Sequence, residues 1–470
     1  MLAPHERLEE ADQLLPLEAE GEWNEEPASL AGDAAPLHSR RSEPAPAPSL
    51  RLSLVYWGVY AVNGGIVGAL GPSLEAFERS TGLTEAAMGQ MIMQNRLAKV
   101  VGVGLWTLYT KHCYAKGRAC VGTPHVMLSL ALLMSSLCNA VIAHMSHHEA
   151  AIRLALVLAG VTYGITDTGI VLLTLWRYNH SDRQQRTAVA MLNAAFTVGA
   201  LLTPVLVAAS LKRTGDARIA FDAICGVALL LASILPLFTP PHQPANAMGG
   251  GAGEDSTHRK PRSACNETLL LGSMCVILCC VTGSEHAVAT WLSSFGVEVG
   301  GMSESTMALM SSFFWGFICT GRLVWCVASE LITTAWPMLF MDIAFMLSGS
   351  LAFVAYTLSP AGNNRLLWGA SMLMALGVSS SLPCAITLPR ETNVQITPGA
   401  LLAFNVGGTL GETLFPCLIG MAFERKSYLS LGVLLTSSQA AALLSALIGL
   451  TAVAGLRRAA GKGKAVVEPK

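Results

Sequence analysis

Charge is what this sequence has least of. Asp, Glu, Lys and Arg make up 13% of its 470 residues, against 52% hydrophobic ones, where a soluble domain carries about a quarter charged residues. The shortage excludes a water-solvated surface over most of the chain. In its place are repeated apolar stretches of roughly 20 residues, each able to cross a ~30 Å hydrocarbon core, and a positive mean hydropathy of +0.49. These features describe an all-α, polytopic membrane protein.

Further absences narrow the function. The net charge of −1 and the lack of a dense basic stripe argue against nucleic acid as a partner. No G-x-x-x-x-G-K-[ST] phosphate loop occurs, so energy for any transport must come from an ion or solute gradient. No Ser/His/Asp or metal-ligand constellation converges in the apolar spans, which argues against an enzyme, and no cofactor or metal is implied. Cysteines lie mainly in apolar segments, as Cys275, Cys279 and Cys280 do, where Cys is a small hydrophobe. Cys113 and Cys120, near His112, are spaced too loosely for a closed zinc site. His144 to Glu149, "HMSHHE", reads as a solvated loop that could also bind metal or sense acid. The sequons at Asn179 and Asn266 fall on the expected cytosolic side, away from glycosylation.

What is present is a repeating plan. Twelve spans are expected at about 52–74, 85–106, 123–143, 151–175, 187–210, 218–238, 266–292, 303–328, 335–357, 364–388, 397–423 and 428–456. Residues 1–50, rich in Glu, Pro and Ala, read as a disordered cytosolic tail. A six-span half over 51–238, a Pro/Gly-rich cytosolic linker over 239–264, a second half over 265–456 and a short tail over 457–470 complete the organisation. "GALLTPVL" from Gly199 and "GETLFPCL" from Gly411 share Gly, Leu, Pro and Leu in register, as a six-span repeat requires. Lys111, Lys116, Arg118, Arg177, Arg183, Arg186, Arg259, Lys260 and Arg262 fall in even-numbered loops, which places those loops and both termini in the cytosol.

Several motifs carry a family resemblance over about residues 52–456. "NGGIVGALGPSL", "GITDTGIVLLTLW", "GSEHAVATWLSSF", "FFWGFICTGRL" and "VGGTLGETLFPCLIG" resemble the branch of the major facilitator superfamily that contains bacterial fucose permease and the animal sodium-dependent glucose transporter. The resemblance implies twelve helices in two six-helix halves that rock around a midplane site. It also implies a small polar solute, most simply a hexose or related sugar, and a coupling H⁺ or Na⁺. The chain departs from the pattern at Asn63, where fucose permease-like proteins carry an acid. A lysosomal exporter of amino acids or small peptides, or a non-transporting receptor or scaffold with the same fold, are the alternatives.

Ionisable residues inside spans are expensive, about 2.5–3.5 kcal/mol at a helix centre on insertion scales. Asp167, Glu285 and Glu412 are therefore candidates for cation coupling. Arg96 and Lys99, three residues apart, share a helix face that must point inward. Arg96 is the expected partner of Asp167, either as a structural ion pair or as a relay. Glu285 in "GSEHAV" is the best candidate for a proton carrier, although it could also simply reach the outer interface. Trp291, further along that span, reads as an anchor in the aromatic belt. Asn63, Arg96 and Asn405 are candidates for substrate binding, and Arg322 with Asp342 for a gate at the cytosolic end of span eight. Gly64, Gly65, Gly68 and Gly71, like Gly407, Gly408 and Gly411, have spacings suited to close helix packing. Carbonyls freed near Gly411 and Pro416 could alternatively line a cavity.

The tail carries an address. In "EADQLLPL", Glu10 is followed after three residues by Leu14 and Leu15, which resembles the acidic dileucine peptides that clathrin adaptors read. It favours an endosomal or lysosomal membrane over the plasma membrane.

Overall fold

A computed structural model describes residues 50–114, 123–145, 148–178, 182–241, 264–331, 334–359, 364–392, 394 and 398–465. Glu10, Leu14 and Leu15, most of the 239–264 linker, Cys120, Asn179 and residues 466–470 lie outside them. Twelve long helices run as α1 Leu50–Thr81, α2 Glu85–Tyr109, α3 Pro124–His144, α4 Glu149–Arg177, α5 Asp182–Thr214, α6 Arg218–Ile234, α7 Ala264–Glu298, α8 Glu304–Leu331, α9 Trp336–Leu358, α10 Asn364–Glu391, α11 Pro398–Glu424 and α12 Leu429–Ala465. Each contains the core of one expected span, and all but α6, which stops at Ile234, run past its C-terminal edge, because polar end residues still continue the backbone ladder.

Among the described residues, eleven helices are long and apolar enough to cross a membrane. The exception is α2, whose Gln94, Asn95, Arg96 and Lys99 interrupt its middle. Its outer stripe of Leu97, Val101, Leu105 and Leu108 is nonetheless exposed and apolar, while Arg96 is buried. The helix is thus two-faced, with hydrocarbon on one side and charge on the other.

Within the first half α1 packs on α5, α2 on α4, and α3 on α4 and α6; within the second, α7 packs on α11, α8 on α10, and α9 on α10 and α12. The second set is the first with six added to each label. Between halves, α2 meets α11 and α5 meets α8, again a pair related by the same shift, and α1 meets α7. The repeated glycines explain the tightness. A Cβ on Gly199 would sit 1.9 Å from the Ala61 carbonyl oxygen of α1, and one on Gly411 would sit 2.1 Å from that of Cys279 on α7. Gly64 and Gly68 meet α5 backbone, Gly65 meets the Thr203 hydroxyl, and Gly71 meets α7 backbone at Ala289. These glycines permit close backbone approach.

The two halves are fastened at the end carrying the α1–α2, α7–α8 and α11–α12 turns. Arg79 of α1 pairs with Glu304 of α8, and Lys426 lies 3.5 Å from Glu85 and 3.9 Å from Glu298. Its hydrogen bond to Tyr428, aided by the two carboxylates, raises the Lys426 pKa despite some desolvation. Lys426 has a φ of 56°, a left-handed conformation that costs a side chain roughly 1–2 kcal/mol. Gly420 fits against Glu85 and Gly89 of α2. Trp291 corrects the expectation of an aromatic-belt anchor: it is fully buried and donates to the Pro416 carbonyl at 2.8 Å. No ion pair joins the opposite ends of the halves among the described residues.

Candidate functional site

Asp167 lies on α4 one turn beyond Tyr163, on the same face. The Tyr60 hydroxyl of α1 donates to Asp167 Oδ1 at 2.7 Å, and Lys99 Nζ of α2 lies 3.8 Å from Oδ2. The expected pair with Arg96 is not formed. Its physical reason is helix register: a Cβ on Gly160 would meet the Asn95 carbonyl, and one on Gly164 the Lys99 carbonyl. That alignment brings Asp167, leaning back toward the start of α4, level with Lys99 and leaves Arg96 about a turn short.

Lys99 Nζ is also 3.8 Å from Glu412 Oε2 on α11, and His286 Nε2 on α7 approaches the same oxygen at 3.9 Å. One ammonium therefore stands between a carboxylate of its own half and one of the other. Both separations exceed hydrogen-bond length, so the ammonium is attracted by each acid and locked to neither. Tyr163 lies beneath it, 4.8 Å from ring centroid to Nζ. The side chains of Lys99, Asp167 and Glu412 keep 18%, 27% and 13% exposure, so none of the three is sealed from small molecules.

The remaining candidates divide. Asn63 of α1 is buried and accepts from Thr166 at 3.1 Å, while its Nδ2 has no partner. Arg96 is buried, with its guanidinium 5.9 Å from the Tyr163 centroid and its Nε unpartnered. Glu285 is buried on α7, one residue from His286, and makes no hydrogen bond or ion pair among those found in the described residues. Asn405 is exposed, on the Glu412 face of α11 about two turns earlier.

Arg322 and Asp342 are not partners. Arg322 donates to Thr197 of α5 at 2.7 Å, across the halves, and lies well inside α8 rather than at its end. Asp342 on α9 instead accepts from Ser380 and Ser381 of α10 at 2.6 and 3.2 Å. Those hydroxyls satisfy a buried carboxylate without a cation. Tyr60, Tyr163 and His286 were the members that charge counting alone missed. The four-residue spacing of Tyr163 and Asp167 was the available signal. His144, expected in a loop, is instead the last residue of α3, and its Nε2 lies 2.9 Å from Asp222 Oδ1 of α6.

Two repeated six-helix halves with a shared charge cluster between them define a membrane transporter architecture. The profile of the Major Facilitator Superfamily matches residues 56–416, and the chain belongs to that family. It is 24% identical over 319 residues to human "Sodium-dependent glucose transporter 1", covering 62% of this chain and 59% of that protein. The zebrafish (Danio rerio) protein of the same name is 25% identical over 138 residues, 29% of this chain and 22% of that one. The chain thus spans less than two thirds of the curated relatives it matches. Among solved structures, a D-xylose–proton symporter superposes with a TM-score of 0.63 at 15% identity, covering 85% of this chain and 97% of that one. A bacterial homologue of the human lysosomal transporter Spinster, inward-facing and unoccupied, gives 0.61 at 14%, covering 87% and 97%. These two share the fold.

Proposed function

We propose that the protein is a secondary active transporter that carries a small hydroxylated solute of hexose size with H⁺ or Na⁺. The position of Lys99 between Asp167 and Glu412 carries this reading. The two acids belong to different halves, so any rocking of the halves changes the distance from Lys99 to Glu412 while its distance to Asp167 can stay fixed. Separation leaves the half-buried Glu412 without its ammonium, a loss that approaches the ~3–5 kcal/mol of a broken buried pair only as water is excluded. A proton or sodium ion taken up by Glu412 or by neighbouring Glu285 offsets that loss, which couples the motion to cation binding. Tyr60, Asn63, Thr166 and His286 offer the mixed donors and acceptors that hydroxyl groups need, and Asn405 lies on the approach along α11. The names of the glucose and xylose transporters to which the chain is similar support a sugar.

With the termini cytosolic, the fastened end faces the outside or the organelle lumen, and the halves are closed on that side. Arg322 and Thr197 then lie on the cytosolic path and act as a gate, with Asp342 stiffening α9 against α10. The Glu10, Leu14 and Leu15 peptide supports an endolysosomal membrane reached through a clathrin adaptor. Counterflow in proteoliposomes tests the reading: vesicles loaded with unlabelled hexose should accumulate labelled hexose transiently. Absence of counterflow for every hexose and pentose would sink the sugar assignment.

A further inference from the structure

We infer that the solute bound between the halves carries a carboxylate, and that Arg96 receives it: the substrate class is a sugar acid rather than a neutral sugar. The inference rests on the transporter reading above and names the substrate of its site. Arg96 is only 5% exposed, yet its guanidinium enters no hydrogen bond or ion pair among those found in the described residues, and its Nε is without a partner. Leaving a buried cation uncompensated is costly. Asp167 and Glu412 both face Lys99, and the remaining buried acid, Glu285 of α7, forms no ion pair with Arg96 among the described residues.

A second donor is also unfilled. Asn63 Nδ2 is buried without a partner, and Asn63 is held through Thr166, which lies on the same stretch of α4 as the Tyr163 ring under Arg96. Two empty donors from α1 and α2 are thus set against one stretch of α4. An Arg fork is suited to two parallel bonds with a carboxylate, whereas a hydroxyl leaves its charge uncompensated. The sugar hydroxyls would remain for Tyr60, Thr166 and His286.

The charge balance agrees. Arg96 and Lys99 face Asp167, Glu285 and Glu412, with His286, Tyr60 and Tyr163 as the other titratable neighbours. With the three acids ionised the cluster holds one net negative charge. A carboxylate that enters with one proton leaves that charge unchanged, so the loaded carrier crosses its cycle electrically silent. A neutral hexose entering with a proton would move charge.

The test is a thermal-shift titration of the purified full-length protein with D-glucuronate, D-gluconate, D-glucose and lactate, followed by glucuronate counterflow at clamped membrane potentials. A ligand that binds the folded state raises the melting temperature by mass action. Both sugar acids should half-saturate at concentrations at least tenfold below glucose, and proton-linked glucuronate uptake should not respond to potential. Arg96→Gln, which breaks no hydrogen bond or ion pair among the described residues, should abolish the preference for the acids. Arg96→Lys should retain part of it. Equal binding of glucose and glucuronate overturns the inference and leaves the sugar reading intact. Lactate binding that depends on Arg96, with no effect of any sugar compound, keeps the carboxylate site and overturns the sugar reading. A lower ligand-free melting temperature in Arg96→Gln with the acid preference retained assigns Arg96 a structural role and overturns the inference, as does the absence of a shift with all four compounds.

Discussion

An ammonium 3.8 Å from each of two carboxylates on different halves is stabilised by both and bonded to neither, so its removal should cost more than removal of either acid. Lys99→Met leaves the half-buried Asp167 and Glu412 without the ammonium between them, and the expected loss is below the ~3–5 kcal/mol of a fully buried pair, read as a lower melting temperature. Asp167→Asn still accepts from Tyr60 and leaves Lys99 paired with Glu412, so its loss should be smaller. Glu285→Gln removes a carboxylate that makes no ion pair or hydrogen bond among the described residues and should leave the melting temperature nearly unchanged. If Glu285 carries the coupling proton, this mutant loses uphill uptake while counterflow persists; loss of both would show that Glu285 binds solute or shapes the fold.

Helices were the most legible elements, because eleven apolar runs and the two-faced α2 are separated by polar turns, although their ends shifted by up to nine residues. Their mutual register was not legible. Arg96 and Lys99 occupy one helix face, and only the contacts of Gly160 and Gly164 with α2 backbone decide which of the two reaches Asp167. Arg322 shows the same limit: its residue type suggested a cytosolic latch, but its partner is a hydroxyl on another helix rather than the acid expected from sequence. The glycines are therefore where helix placement can be tested. Gly411→Ala would put a methyl 2.1 Å from a carbonyl oxygen, while Gly272→Ala in α7 meets nothing within 4 Å. The first should destabilise by about 1–3 kcal/mol as overpacking does; the second should be neutral or slightly stabilising. Parallel thermal melts compare them, and equal melts would contradict the α7–α11 contact.

The whole molecule is closed at one end by few charges. Exposed ion pairs contribute about 0–1 kcal/mol each, so reversing Arg79 to Glu should shift the two-state population by a factor of about five at most per kcal/mol, toward opening at that end. Spin labels on the α1–α2 and α7–α8 turns should then report longer distances, and adding Glu304→Arg should restore the shorter ones. At the cellular level, Leu14→Ala with Leu15→Ala should move a tagged protein to the cell surface; an unchanged distribution would remove the sorting role. The two-faced character of α2 has a further result during synthesis. Its charged face makes it the poorest span to leave the translocon alone, and Lys99 gains Asp167 only after α4 has been made. Nascent chains stalled before α4 should hold α2 outside the hydrocarbon, and chains stalled after α4 should hold it inside, a switch that glycosylation mapping of an engineered site between α2 and α3 would register. Assembly would then follow the order of charges along the chain, with the second helix inserted in stable form only after the fourth.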